Sequence, residues 1–138
     1  MKKRLLWLAF GCYCLLMLWL LYGQRLGKAG AAGFNLQPFG TLRRYIWVLQ
    51  NSQSQAQLRH AVVNLVGNVV MFVPLGLLLP ALWQGLRRFW IFLLWLTAII
   101  LAVELLQLLS GLGSCDVDDL LLNVCGGSLG FFCRKITK

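Results

Sequence analysis

From residue 5 to residue 22 the chain runs eighteen residues without a charge, close to the minimum for a helix to cross roughly 30 Å of hydrocarbon. Three further stretches, 61–83, 89–109 and 118–132, are apolar apart from a few polar or charged side chains, and the last spans only about 22 Å as a helix. Such runs leave a short chain few folds. Only 12% of the 138 residues are charged, about half the share in soluble proteins, and a small body has too much surface to cover with so few. Backbone amides in lipid must bond within their own segment, which selects helices. The reading is an all-α polytopic membrane bundle of four transmembrane helices, one domain over residues 1–138. Disorder and a disulfide scaffold do not fit this composition. A cleavable signal would use Lys2, Lys3, Arg4 and the small residues Ala29-Gly30-Ala31, but the first run is longer than a signal core and Arg25 and Lys28 precede that site.

A connection of 38 residues joins the first two spans. Gly27, Gly30 and Gly33 loosen its first half. In its second half Leu42, Tyr45, Ile46 and Leu49 fall at i, i+3, i+4 and i+7, with Arg43 and Arg44 off that stripe. The pattern predicts an interfacial helix over 41–50.

Thirteen basic residues against four acids give a net charge of +9. The basic clusters flank the apolar runs, as residues meeting lipid headgroups do; no basic face on a soluble domain exists to bind nucleic acid. Four spans put both termini on one side with Arg87 and Arg88. That side carries eight positive charges and the other five, so the termini are expected in the cytoplasm and the protein in the inner (plasma) membrane.

The acids, Glu104, Asp116, Asp118 and Asp119, lie within sixteen consecutive residues. With termini inside, nearly every strongly polar group in the spans falls in the outer leaflet: Asn64 and Asn68 on one face of the second span, Glu104 and Gln107 near the end of the third, and Asp116, Asp118, Asp119 and Asn123 at the start of the fourth. A carboxylate near lipid costs a few kcal/mol unless it faces the bundle and finds partners. Amides across helices also serve as packing bonds, and Asp116 is well placed to cap the fourth helix. The expectation is a polar pocket made by these eight residues, with Arg43 and Arg44 available for phosphate. Gly126 and Gly130 form a small-residue pair that lets the second or third span approach closely. Pro74 frees the carbonyl of Val70, and Gly76 is placed to ease the bend. The five cysteines and the single histidine, His60, form no metal or triad pattern; no cofactor is expected.

In order along the chain stand Asn35-Leu36-x-Pro38-Phe39, Asn64-x-x-x-Asn68-x-x-x-Phe72-x-Pro74-Leu75-Gly76, Glu104-Leu105-Leu106-Gln107, and Asp116-Val117-Asp118-Asp119-x-x-x-Asn123-x-x-Gly126-Gly127-x-x-Gly130. This set resembles the VanZ-like family of bacterial membrane proteins over roughly residues 35 to 133. Members often carry an arginine before the acidic run, where this chain has Leu112 and Ser114. The resemblance implies a small helical membrane protein, and its founding member implies a link to resistance against glycopeptides of the teicoplanin type. Joined to the residue reading, it gives a non-enzymatic envelope protein that binds a cell-wall lipid precursor or lipophilic antibiotic among membrane lipids. The alternatives are a small oligomeric ion-coupled permease using Glu104, or a magnesium-dependent enzyme acting on a prenyl diphosphate through the aspartate run.

Overall fold

The computed structural model describes residues 2–23, 34–111 and 115–136, and over these the chain is mostly helical, with two short strands and brief connecting turns. Gly27, Gly30, Gly33, Arg25, Lys28, Ala29, Ala31, Leu112, Ser114 and Lys138 lie outside the described residues. The order is α1 (Lys2–Leu18), β1 (Phe34–Asn35), α2 (Gly40–Asn51), α3 (Gln55–Leu82), α4 (Phe89–Leu109), β2 (Cys115–Asp116) and α5 (Val117–Ile136). A π-helical turn over Trp19–Gly23 continues α1, and a 3₁₀ turn over Gln84–Arg87 links α3 to α4. α3, which contains the second expected span 61–83, begins six residues earlier, at Gln55, and ends at Leu82.

Three helices are long and apolar enough to cross a membrane: Lys3–Gly23, Gln55–Leu82 and Phe89–Leu109. The fourth expected span falls in α5, which is not among them. Asp118 and Asp119 occupy its first turn and Arg134 and Lys135 its last, so the uncharged part between covers only about 21 Å.

α4 shows why these elements pack as they do. Phe92, Leu96, Ile100, Glu104 and Gln107 recur every three or four residues and are all buried; its other faces leave Trp90, Leu94 and Trp95 largely exposed. Large bare apolar surface on every span fits lipid as the surrounding solvent.

The tightest packing joins α3 to α5, which run parallel. A Cβ on Gly126 would overlap the carbonyl oxygen of Val69, one on Gly130 that of Val73, and one on Gly76 that of Gly127. The two backbones therefore touch, as small residues permit between membrane helices. Gly76 serves this contact. On the other side of α5, a Cβ on Gly127 would stand 2.6 Å from Leu96 Cδ2, and the Phe131 ring stacks on Phe92 with centroids 4.7 Å apart. α5 is thus wedged between α3 and α4.

Both prolines of α3 lie within a continuous helix. In each case the carbonyl three residues earlier accepts a donor from another helix: Tyr13 Oη donates to Met71 O at 2.9 Å, upstream of Pro74, and Arg134 Nη1 donates to Leu77 O at 3.0 Å, upstream of Pro80. Proline disturbs the hydrogen-bond ladder of the preceding turn, and in membrane helices side chains re-satisfy such groups. Trp83 closes the same end of α1, 5.1 Å from the Trp7 ring and 5.5 Å from that of Phe10.

The glycine seam makes a quantitative prediction. Gly126→Val and Gly130→Val each lower unfolding stability by about 3 kcal/mol or more, since overpacking against rigid backbone cannot relax onto a flexible side chain. Gly67→Ala, where a Cβ would meet nothing within 4 Å, is neutral or stabilises by up to about 1 kcal/mol. Denaturant titration in detergent, read by tryptophan fluorescence, checks both.

Candidate functional site

The acids cluster where α4 ends and α5 begins. Asp116 stands immediately before α5, and its Oδ1 accepts the backbone N–H of Asp118 at 2.9 Å, the N-cap arrangement its position suggests. Its Oδ2 accepts the Thr41 hydroxyl at 2.7 Å and Asn35 Nδ2 at 3.1 Å. Beneath these bonds β1 and β2 pair in parallel, Asn35 opposite Asp116.

Asp118 works across elements. It is only 2% exposed. Its Oδ1 accepts the N–H of Phe39 at 2.6 Å and its Oδ2 that of Leu42 at 2.9 Å. Phe39 holds the N-cap position of α2 in a left-handed conformation (φ 64°) and has no side-chain oxygen to offer. The free amides of the first turn of α2 are therefore capped by a carboxylate from α5. The buried charge lies at the positive ends of two helices at once, which offsets its desolvation.

Asp119 turns another way. Asn68 Nδ2 donates to its Oδ1 at 2.6 Å, tying α3 to α5 beside the capped loop. Tyr45 of α2 lies close by: burial and the negative charges of Asp119 and Asp116 raise its phenol, with Arg44 opposing. Asn123, one turn further along α5, is 5% exposed, and its Oδ1 is buried with no hydrogen-bond partner among the described residues. Gly126 and Gly127 on the same face touch α3 and α4, so Asn123 sits in the wedge between those helices.

Glu104 and Gln107 belong to the buried stripe of α4, 5% and 4% exposed. The register set by Phe92 against Phe131 and Leu96 against Gly127, carried two turns on, brings Glu104 level with Asp119. The charge of Glu104 reaches Cys115, whose thiol is raised by burial first, then by Glu104 and Asp116. Gln107 Nε2 donates to Leu21 O at 3.2 Å, bonding α4 to the end of α1 rather than to Glu104.

Asn64 stays apart. Its Nδ2 donates to His60 O at 2.7 Å on its own helix, so the i, i+4 pairing with Asn68 brings only Asn68 to the acids. Arg43 and Arg44 are exposed on α2, and Arg44 lines a groove of about 430 Å³ with Tyr45, Gln57 and His60. Sequence reasoning missed Thr41 and did not place Asn35 in the site; their polar type was visible, but their partner lies 75 and 81 residues away. Among the described residues no group of three or more His, Cys, Asp or Glu could hold a metal ion.

An apolar groove of about 500 Å³ runs between α1, α3 and α4, lined by none of the acids or their amide partners. Phe10, Met17, Leu21, Phe72 and Val103 line it, and it reaches Tyr22 and Ser110 at the polar end. Tyr22 Oη donates to Val103 O at 3.4 Å there.

The Asp118 cap has a measurable consequence. Asp118→Asn replaces one acceptor with an amide donor facing backbone N–H groups, costing about 2 to 3 kcal/mol. Hydrogen exchange of the Phe39 and Leu42 amides accelerates roughly 30-fold or more if that cost falls on local opening. Asp119→Asn leaves both amides protected.

No curated protein and no solved structure is detectably similar to the chain. A sequence model of the VanZ/LLP1 family matches residues 7–138, essentially end to end, and it takes in the seam, the capped loop and the acidic cluster together. The chain belongs to the VanZ/LLP1 family.

Proposed function

We propose that this VanZ-like protein spans the bacterial inner membrane four times, through α1, α3, α4 and α5, with both termini in the cytoplasm and α2 lying in the outer interface, and that it binds an amphiphile there. α2 supports its part of the reading: Ile46, Trp47 and Leu49 stay exposed while Leu42, Tyr45 and Val48 pack inward, and Arg43 and Arg44 suit anionic headgroups. α5 is shorter in its apolar part than the others, but its flanking charges reach the headgroup layers on both sides by thinning the bilayer.

The observation that supports the ligand reading is the apolar groove between α1, α3 and α4, whose Tyr22 and Ser110 end lies at the same end of the bundle as the acids. An acyl or polyprenyl tail fits the groove lined by Met17, Phe72 and Val103. The ligand's headgroup meets Asp119, Asn68, Glu104, Gln107 and Asn123, and Asn123 offers an unsatisfied acceptor. Asp116 and Asp118 hold the loop and α2 in place around it. A cell-wall lipid precursor or a lipid-tailed glycopeptide of the teicoplanin type has this split chemistry, and through the family a contribution to tolerance of such antibiotics belongs to the proposal. The protein acts by binding, without catalysis. Burial of Glu104 inside a span favours, as a second reading, an ion-coupled permease in which that carboxyl carries the ion.

Native mass spectrometry with a polyprenyl-linked cell-wall precursor tests the first reading: Asp119→Asn and Glu104→Gln each weaken binding about tenfold, the loss of one charge-assisted hydrogen bond. Unchanged binding in both removes the site. Flux into proteoliposomes that responds to a proton gradient and fails in Glu104→Gln favours the second. Topology is read by labelling Cys115 in intact cells with a membrane-impermeant thiol reagent. Because its thiol is raised, labelling strengthens at alkaline pH, above the ordinary thiol range; a permeant reagent that succeeds where the impermeant one fails reverses the orientation.

A further inference from the structure

Beyond the Phe10 end of the apolar groove lies a second apolar recess, also of about 500 Å³. Phe10, Leu79 and Ile99 line both, so the two meet there and form one continuous groove. Along α4 it passes from Ser110 through Ile99 to Ile91. The first part covers about 16 Å of helix and the second about 12 Å. Together they nearly match the roughly 30 Å of a bilayer's hydrocarbon, and the junction at Ile99 falls near the midplane.

The packing leaves this groove because α1 is held at both ends and leans on α3 between them. Toward the acids, Gln107 Nε2 donates to Leu21 O and Tyr22 Oη to Val103 O, joining α1 to α4. At the other end the rings of Trp7 and Phe10 stand edge-on to Trp83. Midway, Tyr13 Oη bonds Met71 O of α3. No described residue of α5 lines either recess, and neither is lined by a charged side chain among the described residues. The groove therefore suits the tail of a lipid and holds no headgroup of its own. A tail confined to one leaflet covers about 15 Å, half of the hydrocarbon, and ends near Ile99. Only a longer tail fills both recesses.

We infer that the groove takes a single polyprenyl chain threaded past Ile99 into the opposite leaflet. This assigns the amphiphile of the proposed function to the polyprenyl-linked class rather than the acyl-tailed one, and it rests on that reading. The chain passes between Phe10, Leu79 and Ile99, and its far units lie against Trp83, Ile91 and Trp95. Aromatic and branched aliphatic walls meet its methyl branches and double bonds by dispersion, small for each contact and large in sum. Discrimination comes from the second recess, which a tail reaches only if it is long enough while its headgroup stays at the acidic end.

Native mass spectrometry of the full chain in detergent tests it, using the polyprenyl-linked cell-wall precursor with one headgroup on a farnesyl or an undecaprenyl tail. Gly85→Phe and Ile91→Trp fill the second recess. A Cβ at Gly85 meets nothing within 4 Å, and Ile91 is exposed, so each position has room for a larger side chain. Wild type retains the undecaprenyl form at least about fivefold more than the farnesyl form, and both variants erase that preference as the far dispersion contacts are lost. Both variants keep the farnesyl form, which also shows that they fold. No preference in wild type, the same preference in both variants, or equal loss of both tails in both variants overturns the threading and leaves the amphiphile reading standing. Release of phosphatidylglycerol by the two substitutions, with the precursor unaffected, overturns it too, because a separate lipid then fills the second recess. Binding of neither form by wild type overturns the amphiphile reading itself.

Discussion

Backbone touching backbone along α3 and α5 is the contact on which the rest of the structure depends. Gly126, Gly130 and Gly76 bring carbonyl oxygens to where a Cβ would otherwise sit. At that distance dispersion and weak Cα–H···O contacts replace the hydrophobic drive, which lipid abolishes between helices. The seam sets the depth of α5. That depth stacks Phe131 on Phe92, seats Leu96 over Gly127, and carries Asp119 to Asn68 at the far end.

The four acids divide the work according to what lies within reach. Asp116 and Asp118 are consumed by the chain itself: one caps its own helix and binds Thr41 and Asn35, the other caps a helix that supplies no cap of its own. Their charges sit at helix N-termini, where the peptide dipoles favour them. Asp119, on the α3 side of α5, and Glu104, on the buried stripe of α4, together with Asn123 supply polar groups beyond what the fold needs for capping.

Charge also orders the bundle from end to end. α5 carries acids in its first turn and bases in its last, complementing its own dipole. One end presents oxygen acceptors beside an apolar groove, the other a basic recess over an aromatic floor.

Much of this was legible in the residues. Charge-free runs fix the spanning helices because hydrogen bonding in lipid is a local problem that each segment solves alone. The heptad-like stripe of α2, the glycine pair of α5 and the bunching of acids are likewise local patterns. What the sequence left open was which polar group meets which. Asn64 and Asn68 share a face by spacing, yet one bonds its own helix and the other an aspartate 51 residues away. Asp118 reads as a first-turn acid of α5, while its partners are backbone amides 76 and 79 residues distant. A backbone N–H has no signature in the letter code, so only the folded arrangement of α2 against α5 decided that this carboxylate would cap another helix.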